Sequence, residues 1–170
     1  MNTYIIGIVV LIALVLIFIV KVRGNITMNV IALDEAEVAL DSILRKKFDL
    51  LNKTVGMIKN ILGTKEPIID KIVNLRSKKL DNLKLNEELI IIGDELYKLV
   101  EEKRRLKNNN DFFKLLTSIN DVEIQLRATS DYYNSKITIH NNLVRKFPSN
   151  IVAFRFKEKQ YFNFDTKKQS

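Results

Sequence analysis

His140 is the only histidine in the 170 residues, and the residues around it repeat. In the stretch SDYYNSKITIHNNLVRKFPSN, residues 130–150, Tyr133-Asn134 is followed seven residues later by His140-Asn141. A histidine near amides and acids can move protons, bind a metal or position a nucleophile. Each of those chemistries needs further groups. Carboxylate metal sites in helical bundles use Glu-x-x-His pairs, and the residue three before His140 is Ile137. There is no cysteine, which removes disulfides, zinc-thiolate and iron–sulfur sites and thiol nucleophiles. Walker, Gly-x-Gly-x-x-Gly and HExxH motifs are missing as well. The expectation is a packing histidine in a chain that is not an enzyme and carries no metal or cofactor. Asn134 and Asn141 lie about two helical turns apart, on nearly one face. They are expected to hydrogen-bond backbone or polar groups of neighbouring helices and so fix register, with a bound ligand as the alternative.

The charged residues are equally ambiguous alone. Asp34, Glu37 and Asp41 line one side of a helix at i, i+3 and i+7. Such a row is expected to be solvated or paired with Lys and Arg, with a cation or basic partner as the alternative. The chain carries a net charge of +8, but no nucleic-acid recognition motif accompanies it, so a nucleic-acid partner is not expected. EEKRRLK, residues 101–107, puts a basic cluster at a helix C-terminus, where the macrodipole favours it. The final segment, IVAFRFKEKQYFNFDTKKQS, interleaves five aromatic residues with five cations. It can either fold back on the helices or dock at a membrane interface.

The elements that must position these groups are helical. Val30, Leu33, Glu37, Leu40, Leu44, Phe48, Leu51, Val55, Ile58 and Leu62 step by three and four, the stripe of a helix in a bundle. Gly63 is placed to stop it, and Thr64 with Pro67 to mark a restart. The spacing predicts helices over about 27–62, 65–83, 86–107 and 112–147. Ile69, Ile72, Val73, Leu80 and Leu83 serve the second, and Leu89, Ile92, Leu96, Leu99 and Leu106 the third. The last seam runs from Phe112 through Ile119, Leu126, Tyr133, Ile137 and His140 to Phe147, with Asn110 or Asp111 as cap and Pro148 as stop. Four amphipathic helices in tandem imply an all-α, antiparallel four-helix bundle.

Ahead of them, Tyr4 to Val20 is an unbroken apolar run. At ~1.5 Å per residue it reaches ~25 Å, and flanking Lys21 and Arg23 can snorkel to the headgroups. No Lys or Arg precedes the run, and VKVRGN offers no small-x-small cleavage site, so a retained anchor is expected rather than a signal peptide. Positive charge follows the span, which predicts an outside N-terminus and a cytoplasmic remainder at the inner membrane. The organisation read from sequence is an anchor over 1–24, a bundle over 25–148 and a tail over 149–170. Lys21, Arg23, Arg155, Lys157 and Lys159 are the candidates to face lipid.

The 130–150 stretch resembles the C-terminal signature of the LemA family. In that signature aromatic-Asn, a second aromatic-Asn seven residues on, and Phe-Pro-x-Asn occur in order. The matching residues are Tyr133-Asn134, His140-Asn141 and Phe147-Pro148-Ser149-Asn150. Phe112 and Glu123 match upstream, and Lys46-Lys47-Phe48-Asp49-Leu50-Leu51 resembles the family's first block. Asn52-Lys53 stands where the family has Pro-Asn, and His140 where it has a second aromatic, so the chain reads as a divergent member. The resemblance implies one N-terminal membrane helix and a cytosolic antiparallel helical bundle. It implies no activity. Read with the residues, it leads to a non-catalytic interaction or scaffold protein at the membrane, with protein partners or self-association. Direct binding to anionic lipid is the alternative.

Overall fold

A computed structural model describes residues 2–63 and 66–164, with side chains from residue 4 onward. Thr64 of the expected restart, and Lys167 and Lys168 of the tail, lie outside the described residues. The protein is all-α: α1 (Asn2–Leu62), α2 (Pro67–Ser77), α3 (Asn82–Glu102), α4 (Arg104–Lys107), α5 (Asn110–Arg145) and α6 (Ser149–Ala153). The described residues contain no strand. The expected gap between the anchor and a helix starting near 27 does not exist. Residues 21–27, KVRGNIT, contain no proline, and a single glycine in a helix interior costs only about 1 kcal/mol, too little to end it. The apolar span and the first bundle helix therefore belong to one continuous helical segment.

Other boundaries move for local reasons. Gly63 adopts φ +68°, the left-handed conformation that glycine tolerates, and its N–H donates to the Lys59 carbonyl. Pro67 opens α2 at a position where its missing N–H costs nothing. The helix then ends at Ser77, short of the expected 83, and Asp81 starts α3 by accepting from the Lys84 N–H at 2.9 Å. The cap of α5 is Asn109, rather than Asn110 or Asp111: its side-chain oxygen accepts from Phe112 N–H at 2.9 Å. α5 ends at Arg145, which leaves Phe147 outside the seam and exposed.

The chain divides into two compact units. The first comprises 1–36 with 132–161, the second 37–131 with 162–170. In the first, Val22 and Ile26 of α1 and Ala153 of α6 form a buried cluster, with Val30, Leu143, Val144 and Val152 against it. Residues 22–30 of α1 thus meet 144–136 of α5 in reverse order, an antiparallel pairing that the Asn29 Nδ2 bond to the Lys136 carbonyl (3.2 Å) extends. In the second, Leu40, Leu44, Leu51, Ile58, Ile72, Leu89, Ile92, Leu96, Phe112, Ile119 and Leu126 are buried. Ion pairs Lys71–Glu95 and Lys78–Glu88 set α2 and α3 antiparallel. The α1 seam runs through Ala36 and Lys47 where Glu37 and Phe48 were expected; Glu37 is exposed and Phe48 only half-buried. In α2 the buried residues are Ile68, Ile72 and Leu75, while Val73 faces solvent.

Candidate functional site

Residues 157–161 run without secondary structure of their own, and a polar row on α5 holds them. Asn141 is buried and pairs with both backbone groups of one residue. Its amide Nδ2 donates to the Lys159 carbonyl at 3.0 Å, and its Oδ1 accepts from the Lys159 N–H at 2.9 Å. One side chain here does what a neighbouring strand would do for an edge residue. His140, one residue back and also buried, lies 3.0 Å through Nε2 from the Lys157 carbonyl. A carbonyl can only accept, so Nε2 carries the proton. The ring also meets Phe156 edge-on, with centroids 6.3 Å apart at 84°. Thr138 Oγ1 reaches the Tyr161 hydroxyl at 3.3 Å, so the docked residues alternate 157, 159, 161 as in an extended segment.

Charge closes the dock from outside. Arg145 grips Glu158 through two guanidinium nitrogens, and Lys159 Nζ lies 3.8 Å from Asp34 of α1. The hydrogen bond from Arg145 holds the Glu158 carboxyl below its usual range; desolvation opposes it, and the positive charge of Arg145 adds a lesser lowering. The same contact pushes the Arg145 guanidinium further up. A group whose docked pKa is lowered stabilises docking fully above its free value and loses that contribution as pH falls through the docked value. The protection of amides over 157–161 from hydrogen exchange, taken relative to their intrinsic rates at each pH, is therefore expected to be level from neutral pH to about pH 5 and to fall below about pH 4. Arg145→Gln should remove that dependence.

The second unit holds a separate polar centre. The Lys47 ammonium, buried on α1, lies 3.0 Å from Glu123 Oε1 on α5. Burial, and secondarily the Glu123 charge, raise the Tyr97 phenol above its ordinary value. Asn86, fully buried on α3, donates to the Asn163 carbonyl at 3.2 Å, and the Arg127 guanidinium stacks 4.8 Å from the Phe164 ring centroid.

These placements sort the residues singled out from sequence. His140 and Asn141 come together as expected, but their partners are backbone atoms of the tail rather than a neighbouring helix. Tyr133 and Asn134 are half-buried, and the Asn134 carbonyl accepts from Thr138 at 3.0 Å. Phe112 is core, Leu50 half-buried and Asp49 exposed at the edge of a surface cleft. Glu123 binds Lys47. Phe147 and Pro148 form the turn after α5, and Asn150 is half-buried in α6. Of the acidic row, Asp41 pairs with Arg45 of its own helix and Asp34 with Lys159. Lys21, Arg23, Arg155 and Lys157 are exposed, whereas Lys159 is turned towards Asp34.

Three contributors escaped the sequence reading: Lys47 as an ion-pair residue, Asn29 and Asn86. Their signal was position. Asn86 continues the α3 seam through Leu89, Gly93, Leu96 and Val100 in steps of three and four, and a polar residue on a seam must find a partner. What the assembled groups do chemically is hold chain. Asn141 uses both amide atoms on tail backbone, whereas His140 binds through Nε2 and Asn86 through Nδ2 alone, leaving His140 Nδ1 and Asn86 Oδ1 buried without a partner. No cluster of His, Cys, Asp and Glu able to hold a metal occurs among the described residues.

Two blocks of the resemblance, the Lys46-Lys47 pair and Glu123, thus meet physically in the 3.0 Å ion pair, and a third, His140-Asn141, is the tail dock. No curated protein matches this chain. The LemA family model matches residues 36–170, most of the sequence, and the protein belongs to the LemA family.

Proposed function

We propose that this LemA-family protein is a single-pass membrane protein that acts by interaction, without catalysis, at the cytoplasmic face of the inner membrane. The observation that carries the reading is the change of character along α1. From Tyr4 to Phe18 every residue is exposed and the run is apolar all round. Past Val20 the same helix buries one stripe and exposes charge, with Leu33, Leu40, Leu44 and Leu51 inside. α1 is long and apolar enough to cross a membrane, and that segment finds almost no protein cover. An apolar helix with no protein cover is stable in lipid, where its backbone bonds are satisfied internally. The positive charge after the span favours an outside N-terminus.

The non-catalytic part of the reading rests on how His140 and Asn141 are used. Both are buried against tail backbone, Asn141 through both amide atoms and His140 through Nε2, which supports a packing role. Phe113 and Ile124, exposed on α5, lie eleven residues apart and so share a helix face, where a partner or a second copy can bind. A photo-crosslinker at either position, in intact membranes, is expected to give discrete adducts.

A second reading, direct contact with anionic lipid, is favoured by a different observation. Phe147, Ile151 and Phe154 are exposed on the turn and short helix that pack beside residues 22–26 of α1.

A further inference from the structure

The lipid reading can be carried to a site. Beside the end of the apolar span is a cleft of about 590 Å³, lined by Ile19, Arg23 and Thr27 of α1 and by Val152, Phe154, Arg155 and Phe156. That volume lies within the range of small-molecule sites, roughly 300–1,000 Å³. Its chemistry is divided. Ile19, Val152, Phe154 and Phe156 make apolar walls, and one arginine stands on each side. Neither guanidinium takes part in the ion pairs formed among the described residues. Arg155 instead lies over the Phe154 ring, 5.5 Å from its centroid, and Thr27 gives its hydroxyl proton to the Arg23 carbonyl.

Depth identifies the occupant. Ala153 packs on Val22 and Ile26. Val22 and Ile26 lie two and six residues past Val20, about 3 and 9 Å along the helix axis, so this packing straddles the headgroup layer, roughly 5–8 Å thick, that flanks the hydrocarbon core. Around the cleft, Phe147 is 79% exposed, Ile151 64% and Phe154 75%. Large apolar side chains so exposed, at headgroup depth, are the pattern of an interfacial wedge whose apolar face enters the acyl boundary. A molecule at that depth with a phosphodiester for two guanidinium groups and methylenes for apolar walls is a phospholipid of the bilayer.

We propose that this cleft binds one anionic phospholipid, its phosphate between Arg23 and Arg155 and its upper acyl carbons against Ile19, Phe154 and Phe156. The proposal rests on the anchoring of α1 and on the second reading above.

The test uses the full chain in detergent micelles and native mass spectrometry with phosphatidylglycerol, phosphatidylcholine or soluble glycerol phosphate. A single phosphatidylglycerol adduct is expected, formed in preference to phosphatidylcholine. Arg23→Gln with Arg155→Gln should weaken it about tenfold or more, with unchanged helix content by circular dichroism. Lys53→Gln with Lys59→Gln, which removes equal charge at exposed positions outside the cleft, should leave it intact. The chain has no tryptophan, so Phe154→Trp in phosphatidylglycerol vesicles gives a clean report of depth. Blue-shifted emission quenched by brominated acyl chains is expected. Equal loss in the lysine and arginine variants, no preference over phosphatidylcholine, displacement by glycerol phosphate, or a solvent-exposed indole that only a protein partner shields would each overturn the site. Carbonate extraction of the same chain separates the two failures. A chain that stays in the membrane without the adduct contradicts the cleft alone, whereas an extracted chain contradicts the anchor.

Discussion

Glu123→Ala is expected to destabilise the second unit by about 2–4 kcal/mol, whereas Lys47→Met changes stability by no more than about 1.5 kcal/mol. The asymmetry follows from burial. Lys47 is 2% exposed, and the Glu123 side chain 28%. Removing Glu123 strands an ammonium in a buried position, and stranding a charge in this way costs roughly 3–5 kcal/mol where burial is complete. The opening to water beside Glu123 reduces that figure. Removing Lys47 leaves a carboxylate that solvent already reaches, while methionine refills the volume of the lysine stem among apolar neighbours. Chemical unfolding of the full chain in micelles, followed by circular dichroism, measures both. Glu123→Gln should fall between the two variants, because its amide oxygen still accepts from the ammonium. Equal costs for Glu123→Ala and Lys47→Met would show that the pair contributes through shape rather than charge.

The second large effect is at Asn141. Asn141→Leu is expected to cost about 1–3 kcal/mol, because it leaves the Lys159 N–H and carbonyl without their partner at a part-buried position. The local signature matters more than the total. Exchange at the Lys159 amide should rise steeply and neighbouring amides of 157–161 should follow, since His140 donates a single bond to the same segment. Asn141→Asp should be nearly as damaging. It keeps the acceptor for Lys159 N–H but turns a carboxylate oxygen towards the Lys159 carbonyl, exchanging a bond for repulsion. His140→Phe tests the companion residue. A phenyl ring keeps the edge contact with Phe156 and loses only the bond to Lys157, so a milder loss, about 0.5–1.5 kcal/mol, is expected.

These two centres show where sequence carries the fold and where it does not. The seams of α1, α3 and α5 were legible because leucine and isoleucine at three- and four-residue steps have one physical explanation, a helix with one buried stripe. The apolar run from Tyr4 to Val20 was legible as a long apolar helix for a different reason, its unbroken length rather than any stripe. Lys47 was misplaced because a lysine on a seam reads as a solvated side chain until its partner, 76 residues away, is known. The role of Asn141 was legible in kind, an amide that must be paired, but its partner was not. Backbone N–H and carbonyl groups carry no residue signature, so nothing in KEKQY marks it as the docked segment. Phe147 failed as a seam residue because periodicity continues across a helix end, and periodicity alone does not show where the hydrogen-bonded ladder stops. The exposed Phe147 and Phe154 then acquire their meaning only from proximity to α1, which no local pattern contains.

The most direct measurement of the central claim is crosslinking from Phe113 and Ile124 in intact membranes, with the full chain and with a chain lacking residues 4–20. The account predicts discrete adducts to a reproducible partner or a second copy, obtained from the membrane fraction and lost when the span is deleted. Diffuse or absent adducts from both positions, or the same adducts from the chain without its span, would contradict it.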